Sequence, residues 1–345
     1  MTGIDAEVLV AGGGPVGLVA AIEARLAGLE AIVLEPRDGP IDKACGEGLM
    51  PGAVPLLGRL GVAPHGIPLR GVRYTDGSRD AVHRFAEGGA VGLGVRRTTL
   101  HDALAARAAA LGVRVEPVRV AEVAQDADGV RAAGLRGRWL LGADGLHSTV
   151  ARAAGLARPA PRGRRRYGLR EHRRVAPWSE LIEVHWTPEA ELYVTPVDDR
   201  LVGIAVLARQ GVGLERALAG APELAARLAD APVAGSRLGA GPFRQRTRAR
   251  TAGRILLVGD ASGYTDAITG EGLRLGFAQA RAAVGAVAAG RPSGYEGEWM
   301  RITRSFRVLT GALAGAASSP FRGAVVPAAS RLPRVFGAAV EHLAR

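Results

Sequence analysis

Residues 42–51, "DKACGEGLMP", hold the only cysteine and the only lysine of the chain, and every other cation among its 45 Lys and Arg side chains is arginine. A thiol two positions from an ammonium can act as a nucleophile, a proton donor or a redox group. Gly46 and Gly48 let backbone lie close against a bound molecule. Cys45 is therefore a candidate for chemistry, with simple packing as the leading alternative. Three other stretches have ligand-binding character: Gly12-Gly13-Gly14-Pro15-Val16-Gly17, then Gly142-Ala143-Asp144-Gly145, then Gly259-Asp260 followed by Gly270-Glu271-Gly272-Leu273. A glycine turn that opens a helix offers free backbone N–H groups and the positive end of the helix dipole to a phosphate. An aspartate at the carboxyl end of a buried strand stands where ligands of parallel sheets bind.

The elements that must position these residues are legible around them. "AEVLVAGGGPVGLVAAIEARLAGLEAIVLEP" reads as strand, turn, helix, strand. Val8 to Val10 form a continuous apolar run, Val19, Ile22, Leu26 and Leu29 make one helical stripe, and Gly28 ends the helix. Gly12 then serves the tight turn, and Gly14 with Pro15 the approach of a pyrophosphate. Gly17 serves close helix packing, and Glu35 binds ribose hydroxyls, with Pro36 and Arg37 beside it. A strand at 139–141 leads into Asp144-Gly145, with a helix from about Ser148. A strand at 255–258 leads into Gly259-Asp260, with a helix opening at 270–272. "RRTTLHDALAARAAALGVRV" gives a helix with a Thr99–Asp102 capping box and a Leu100, Leu104, Leu111 face, ended by Gly112. Strands follow within 113–123. Residues 181–207 alternate and are rich in β-branched side chains. They predict an antiparallel sheet with a turn at Asp198-Asp199-Arg200 and a helix near 214–228. Alternation puts Tyr193 and Thr195 on one face, and these two, with His185 and Trp186, are the candidates to meet a substrate. The tail, 299–345, reads as helix broken at Pro320, Pro327 and Pro333.

Composition sets the bounds. A chain of 345 residues, 48% hydrophobic, suits two intimate domains. A single cysteine excludes an intrachain disulfide and fits a reducing cytoplasm. The first ten residues lack the pattern of a secretory signal. The charge-free stretches 8–22 and 308–321 fall short of the roughly 20 apolar residues of a spanning helix. The net charge of +12 is carried by arginine wherever lysine could stand, as GC-rich codon usage gives. The block "PRGRRRYGLREHRR", 161–174, is expected to be a solvated crossing between domains, since few aromatics and no nucleic-acid motif accompany it. The histidines form no metal-binding pair, so no metal is expected. "GDASG" is not the G-x-S-x-G of a hydrolase.

Together these motifs resemble the FAD-dependent family that joins aromatic-ring monooxygenases, geranylgeranyl reductases and flavin halogenases, from residue 5 to about 290. The resemblance implies that Gly12, Gly14, Pro15, Gly17, Glu35, Pro36 and Arg37 hold the ADP half of FAD. Asp144 and Gly145 would lie near the pyrophosphate and a nicotinamide route, and Val120 would meet the adenine through its backbone. Gly259 and Asp260 would bind the ribityl chain, with Arg97 in the same region. Cys45 and Gly46 would lie beside the flavin, and Gly270, Glu271, Gly272 and Leu273 would run past its ring. A helix starting there favours the charge of the reduced ring. The family's usual His and Pro of this loop are replaced by Gly263 or Tyr264 and by Ala267. The halogenase pattern W-x-W-x-I-P is missing, for Trp178 and Trp186 do not supply it.

The implied fold is α/β: a Rossmann-like FAD-binding parallel sheet with helices, an antiparallel-sheet substrate domain and a C-terminal helical segment. The FAD-binding domain takes residues 1–72, 96–160 and 246–292, the substrate domain 73–95 and 161–245, and the helical segment 293–345. The implied function is an NAD(P)H-driven, FAD-dependent monooxygenase acting on an aromatic, polyketide-like or other apolar small molecule and O2, with Cys45 and Tyr193 as catalytic candidates. The alternative is a geranylgeranyl reductase-like enzyme, which "CGEGLMP" and "TGEGL" favour. A basic nucleic-acid binder without catalysis is the rival of another class. A cytoplasmic monomer or homodimer without nucleic acid is expected, with peripheral membrane contact through the tail if the substrate is lipid-like.

Overall fold

The structure is a computed structural model that describes residues 3–86, 91–159 and 165–345. Val8, Leu9, Val10 and Ala11 are all at most 1% exposed, although their side chains alternate between faces. Only a strand covered on both sides can bury both sets, and such strands lie inside parallel sheets. Ala6–Ala11 is accordingly central, paired in parallel with Ala31–Leu34 on one side and Leu135–Gly142 on the other. The sheet continues outward through Arg114–Glu116 at one end and Ile255–Leu257, then Thr251–Ala252, at the other. Val130–Ala132 and Val123–Gln125 extend it antiparallel. Val8, Val10, Val33, Leu141 and Leu256 pack one face against the helices Pro15–Leu26, Arg97–Ala110 and Gly272–Ala288. Leu9, Ile32, Leu34, Leu140 and Leu257 fill the other face.

Register decides where the motifs meet. Ala11 stands beside Leu34 and Gly142, and Gly142 beside Leu257. The residues that follow, Gly12, Glu35, Ala143-Asp144 and Val258 to Asp260, therefore emerge along one edge, the carboxyl edge of the sheet.

The second sheet runs Val233–Ala240, Arg166–Arg173, Leu201–Arg209, Ala190–Asp198, Ile182–Trp186, Gly71–Thr75, Asp80–Arg84. It is not purely antiparallel as expected, because Ile182–Trp186 and Gly71–Thr75 pair in parallel. The 72/73 boundary thus falls inside a strand. A small sheet of Gly48–Leu49, Gly92–Gly94 and Ile67–Leu69 ties the cysteine loop to this roof. A Cβ on Gly94 would stand 1.7 Å from the carbonyl oxygen of Pro196, so only glycine allows that contact. The expected helix near 214–228 is two, Leu214–Ala219 and Pro222–Leu228, parted where Pro222 begins a new first turn.

The basic block corrects the sequence reading most. Residues 161–164 lie outside the described residues, but Arg166–Arg173 is an inner strand of the roof, paired on both sides. Arg166, Arg170 and His172 are buried, not solvated. The Thr99–Asp102 capping box is also absent. The helix begins at Arg97 with Arg96 as its N-cap and no cap from its own side chains.

In the tail the helices are Tyr295–Ala317, Val325–Arg331 and Pro333–Ala344. Pro327 does not break its helix, because it falls in the first turn, where no N–H is missed. Phe336, Val340, Val326 and Ala317 pack with Val72, Tyr74, Trp186 and Met50, so the tail covers one face of the roof sheet. The other face packs on the two short helices through Leu192, Ile204, Leu214 and Leu224. Among the described residues no helix is long and apolar enough to cross a membrane.

Candidate functional site

The three glycines of the turn answer different constraints. Gly12 has φ +101, and a Cβ there would lie 2.7 Å from the Ala143 carbonyl oxygen. At Gly17 a Cβ would lie 1.8 Å from the Gly12 carbonyl oxygen, so glycine alone lets the helix sit on the strand end. A Cβ on Gly14 meets nothing nearer than Arg97 Nη2 at 3.8 Å. The space before the helix N-terminus is open, as a bound phosphate group requires.

Sequence reasoning missed Gly13. A Cβ there would come within 2.8 Å of the Glu35 side chain, and its N–H donates to Glu35 Oε2 at 2.8 Å. The remaining Glu35 lone pairs accept the N–H, Nε and Nη2 of Arg37. Burial acts to raise the Glu35 pKa, but the bonds from Arg37 and Gly13 outweigh it and hold the carboxyl below its ordinary range. A carboxylate has about four lone-pair sites, so a further donor can reach Glu35 only by displacing the exposed Arg37. His101, buried on the neighbouring helix, donates Nε2–H to the Gly13 carbonyl at 3.0 Å, and burial lowers its pKa.

Asp144 lies beside the turn through its backbone, but its carboxylate caps the helix Thr149–Ala153. It accepts the Ser148 hydroxyl at 2.5 Å and the N–H groups of Thr149 and Val150 at 2.6 and 3.0 Å. Gly145 has φ +81 with open space around it. Val120 is buried between strands, and Pro36 is half-buried after Glu35. The lone lysine does not serve the thiol: Lys43 Nζ reaches Asp260 Oδ2 at 3.4 Å. Gly46 is exposed with nothing within 4 Å, and Cys45 Sγ accepts the Glu47 N–H at 3.4 Å.

Arg97 is the cation of this edge. Its Nε is buried without a hydrogen-bond partner. Burial lowers its pKa, against the opposing pull of Cys45, Asp260, Glu47 and Asp42 around it. A buried guanidinium nitrogen without a bonded partner is costly, and an anionic ligand at the carboxyl edge relieves that cost. The Arg97 N–H, first of its helix, donates to Glu47 Oε1 at 2.9 Å, which replaces the expected capping box.

Glu47, unnoticed in the sequence, begins a buried polar chain. It holds φ +58, strained for a side-chain-bearing residue. Its Oε2 lies 2.6 Å from His172 Nε2; His172 Nδ1 lies 3.0 Å from Arg170 Nη1, and Arg170 also bonds Asp42. Arg170 can only donate, so Nδ1 accepts and the ring proton sits on Nε2, facing Glu47. A second buried network joins roof, loop and tail: Arg166 pairs with Glu191 and Asp266, and Arg322 pairs with Glu191. Tyr193, expected to be catalytic, donates its hydroxyl to the Ile268 carbonyl at 2.9 Å and so fastens the roof to the loop before residue 270. Burial raises its pKa well above the ordinary value. Trp186 is buried against the tail, with Arg322 over its ring.

Gly270, with φ +70, turns the chain into Glu271, the N-cap of Gly272–Ala288. The Glu271 side chain turns to Arg274, whose Nε donates to Oε2 at 2.6 Å, while Oε1 is buried without a partner. Leu273 packs on the helix core. A cavity of about 50 Å³ runs from Gly259 and Asp260 past Tyr264 and Glu271 to Thr310 on the long tail helix. A wider surface hollow, around Arg209 and Arg216, involves none of these residues.

The relatives are consistent with this arrangement. The chain is 29% identical over 294 residues to the dialkyldecalin synthase of Streptomyces rugosporus, covering 79% of this chain and 63% of that protein. It is 30% identical over 317 residues to the rifampicin monooxygenase of Streptomyces venezuelae, covering 79% of this chain and 62% of that one. The chain thus spans less than two thirds of the length of either. The structure of the flavin-dependent brominase Bmp2 superposes with a TM-score of 0.79 at 18% identity, over 98% of this chain and 93% of that one, a likeness of fold. Residues 5–290 match the FAD binding domain family, and the chain belongs to that family.

Proposed function

We propose that the chain binds one FAD along the carboxyl edge and uses it as an NAD(P)H-driven monooxygenase on an apolar aromatic or polyketide-like molecule. The observation that carries the reading is the meeting, at one sheet edge, of an open N–H-lined helix start at Gly14, the unpartnered Nε of Arg97 and the Asp260 loop. These residues fit the cofactor. The N–H groups before Pro15 suit its pyrophosphate, Arg97 its negative charge, and Asp260 the hydroxyls of its ribityl chain. When bound, FAD supplies the electron transfer and oxygen activation that no side chain can. The protein's own part is to bind, orient and exclude water. The tail helices close one face of the roof sheet through a packed apolar core around Trp186, Tyr74 and Phe336. The comparison with rifampicin monooxygenase supports the same reading.

The test is direct. Purified protein should be yellow, release FAD on acid treatment, and consume oxygen with NADH or NADPH only when a substrate is present. Product should gain one oxygen atom, drawn from labelled O2 and not from water. Reduction of an isoprenoid double bond is the second reading. It has in its favour the half-buried thiol of Cys45 at the same edge, near Arg97. Product that forms under strict anaerobiosis, heavier by two hydrogens, would establish it and end the monooxygenase assignment.

A further inference from the structure

The Glu271 side chain bonds Arg274 of its own helix, and the residue is the N-cap of the helix whose start lies beside Asp260. A Cβ on Gly272 would be 3.9 Å from Asp260 Oδ1. Glu271 is only 3% exposed, one carboxylate oxygen bonds Arg274, the other is buried without a partner, and the residue lines the cavity. The cavity is partly open and is lined also by Thr269, Thr303 and Thr310, with the Thr269 and Thr310 hydroxyls bonded to each other. Resting on the FAD reading, we propose that Glu271 takes up a proton from solvent, through this cavity, as the bound cofactor gains electrons.

The balance is simple. Two electrons and one proton pass from the nicotinamide donor to the cofactor, which then carries one added negative charge. One further proton from solvent joins the Glu271 carboxylate, so the region gains no net charge. A carboxylate at the helix start opposes the incoming charge, whereas the neutral acid leaves the helix dipole free to stabilise it. The charged neighbours are few. Arg274 comes from the same helix, Asp260 and Asp266 from the loop, and Arg307 from the long tail helix. Lys43 pairs with Asp260, and His342 of the last helix stacks on Phe306, over which Arg274 lies. Burial already lifts the Glu271 pKa from 4.5 to about 7, within reach of such a change.

The experiment is a spectroscopic redox titration of the FAD-loaded protein from pH 7 to 9, wild type against Glu271→Gln. Each proton taken up with two electrons changes the equilibrium tenfold per pH unit, about 30 mV. Wild type should show a slope of about 60 mV per pH unit just above neutrality and Glu271→Gln about 30 mV. A reduced-minus-oxidised infrared spectrum of the wild type should also gain a protonated carboxyl band, so the test survives a variant that fails to fold. A wild-type slope of about 30 mV without that band overturns the inference and leaves FAD binding intact. Wild-type protein that takes up no flavin overturns the FAD reading, and this inference with it.

Discussion

Replacing Glu47 by Gln exposes how the cysteine loop is held. Glu47 accepts two hydrogen bonds while buried: Arg97 N–H at Oε1, 2.9 Å, and His172 Nε2–H at Oε2, 2.6 Å. The His172 tautomer cannot adapt, because Arg170 Nη1 occupies Nδ1 with a donor at 3.0 Å. Glutamine offers one acceptor oxygen and one NH2, so one of the two donors must face another donor. The loss is one hydrogen bond to a charged acceptor, about 1.5–3 kcal/mol, plus a buried donor left unpaired, about 1–3 kcal/mol. The sum is about 2.5–6 kcal/mol, which at this chain length lowers Tm by about 3–8 °C. Calorimetry reads the shift. A double-mutant cycle of Glu47→Ala and His172→Ala should give a coupling energy above about 1.5 kcal/mol. A Gln variant melting within about 1 °C of wild type, with coupling below about 0.5 kcal/mol, would refute the reasoning.

Other outcomes follow from single contacts. Gly17→Ala places a methyl 1.8 Å from the Gly12 carbonyl, so the helix must move and FAD affinity should be lost, as a flavin titration would show. Gly14→Val, whose side chain enters open space beside Arg97, should yield folded protein that retains little FAD; full occupancy in that variant would mean the phosphate site is placed wrongly. Arg322→Ala leaves Glu191 with one cation fewer in a fully buried site, and breaking a buried pair costs about 3–5 kcal/mol; limited proteolysis should then cut the tail first. For Glu271, burial lifts the folded pKa from 4.5 to about 7. Its favourable term is therefore fully present below 4.5 and lost as pH rises to 7, a difference of roughly 3 kcal/mol. Glu271→Gln should gain on wild type by up to that amount in urea denaturation between these pH values and no further above them.

The cofactor edge was legible because each motif is local. Gly12 and Gly17 follow one apolar strand, Asp144 a second and Asp260 a third, and the parallel register then brings the strand ends together without further information. The roof chemistry was not legible for the opposite reason. His172 and Glu47 are 125 positions apart, and Arg170 and Asp42 are 128 apart. No local pattern marks a charged side chain that will be buried by a distant partner. The one available signal was spacing: Arg166, Arg170 and His172 fall on even positions of a strand and so share a face. Read as a charge run, "RRRYGLREHRR" looked solvated. The bond of Tyr193 to the Ile268 carbonyl was not legible either, because a phenol's partner depends on what its hydroxyl reaches, and Ile268 lies far along the chain.

The order of strands in the cofactor sheet bears on how this protein can be handled. Ile255–Leu257 returns, after the whole roof has been made, to cover the side of Leu135–Gly142. A fragment ending near residue 159 would therefore present an unprotected row of backbone donors and acceptors along an apolar strand, an invitation to strand addition and aggregation. Dissection into two halves should give inclusion bodies, whereas co-expressing the halves from separate chains gives each open edge its own partner and is the better route to a split protein.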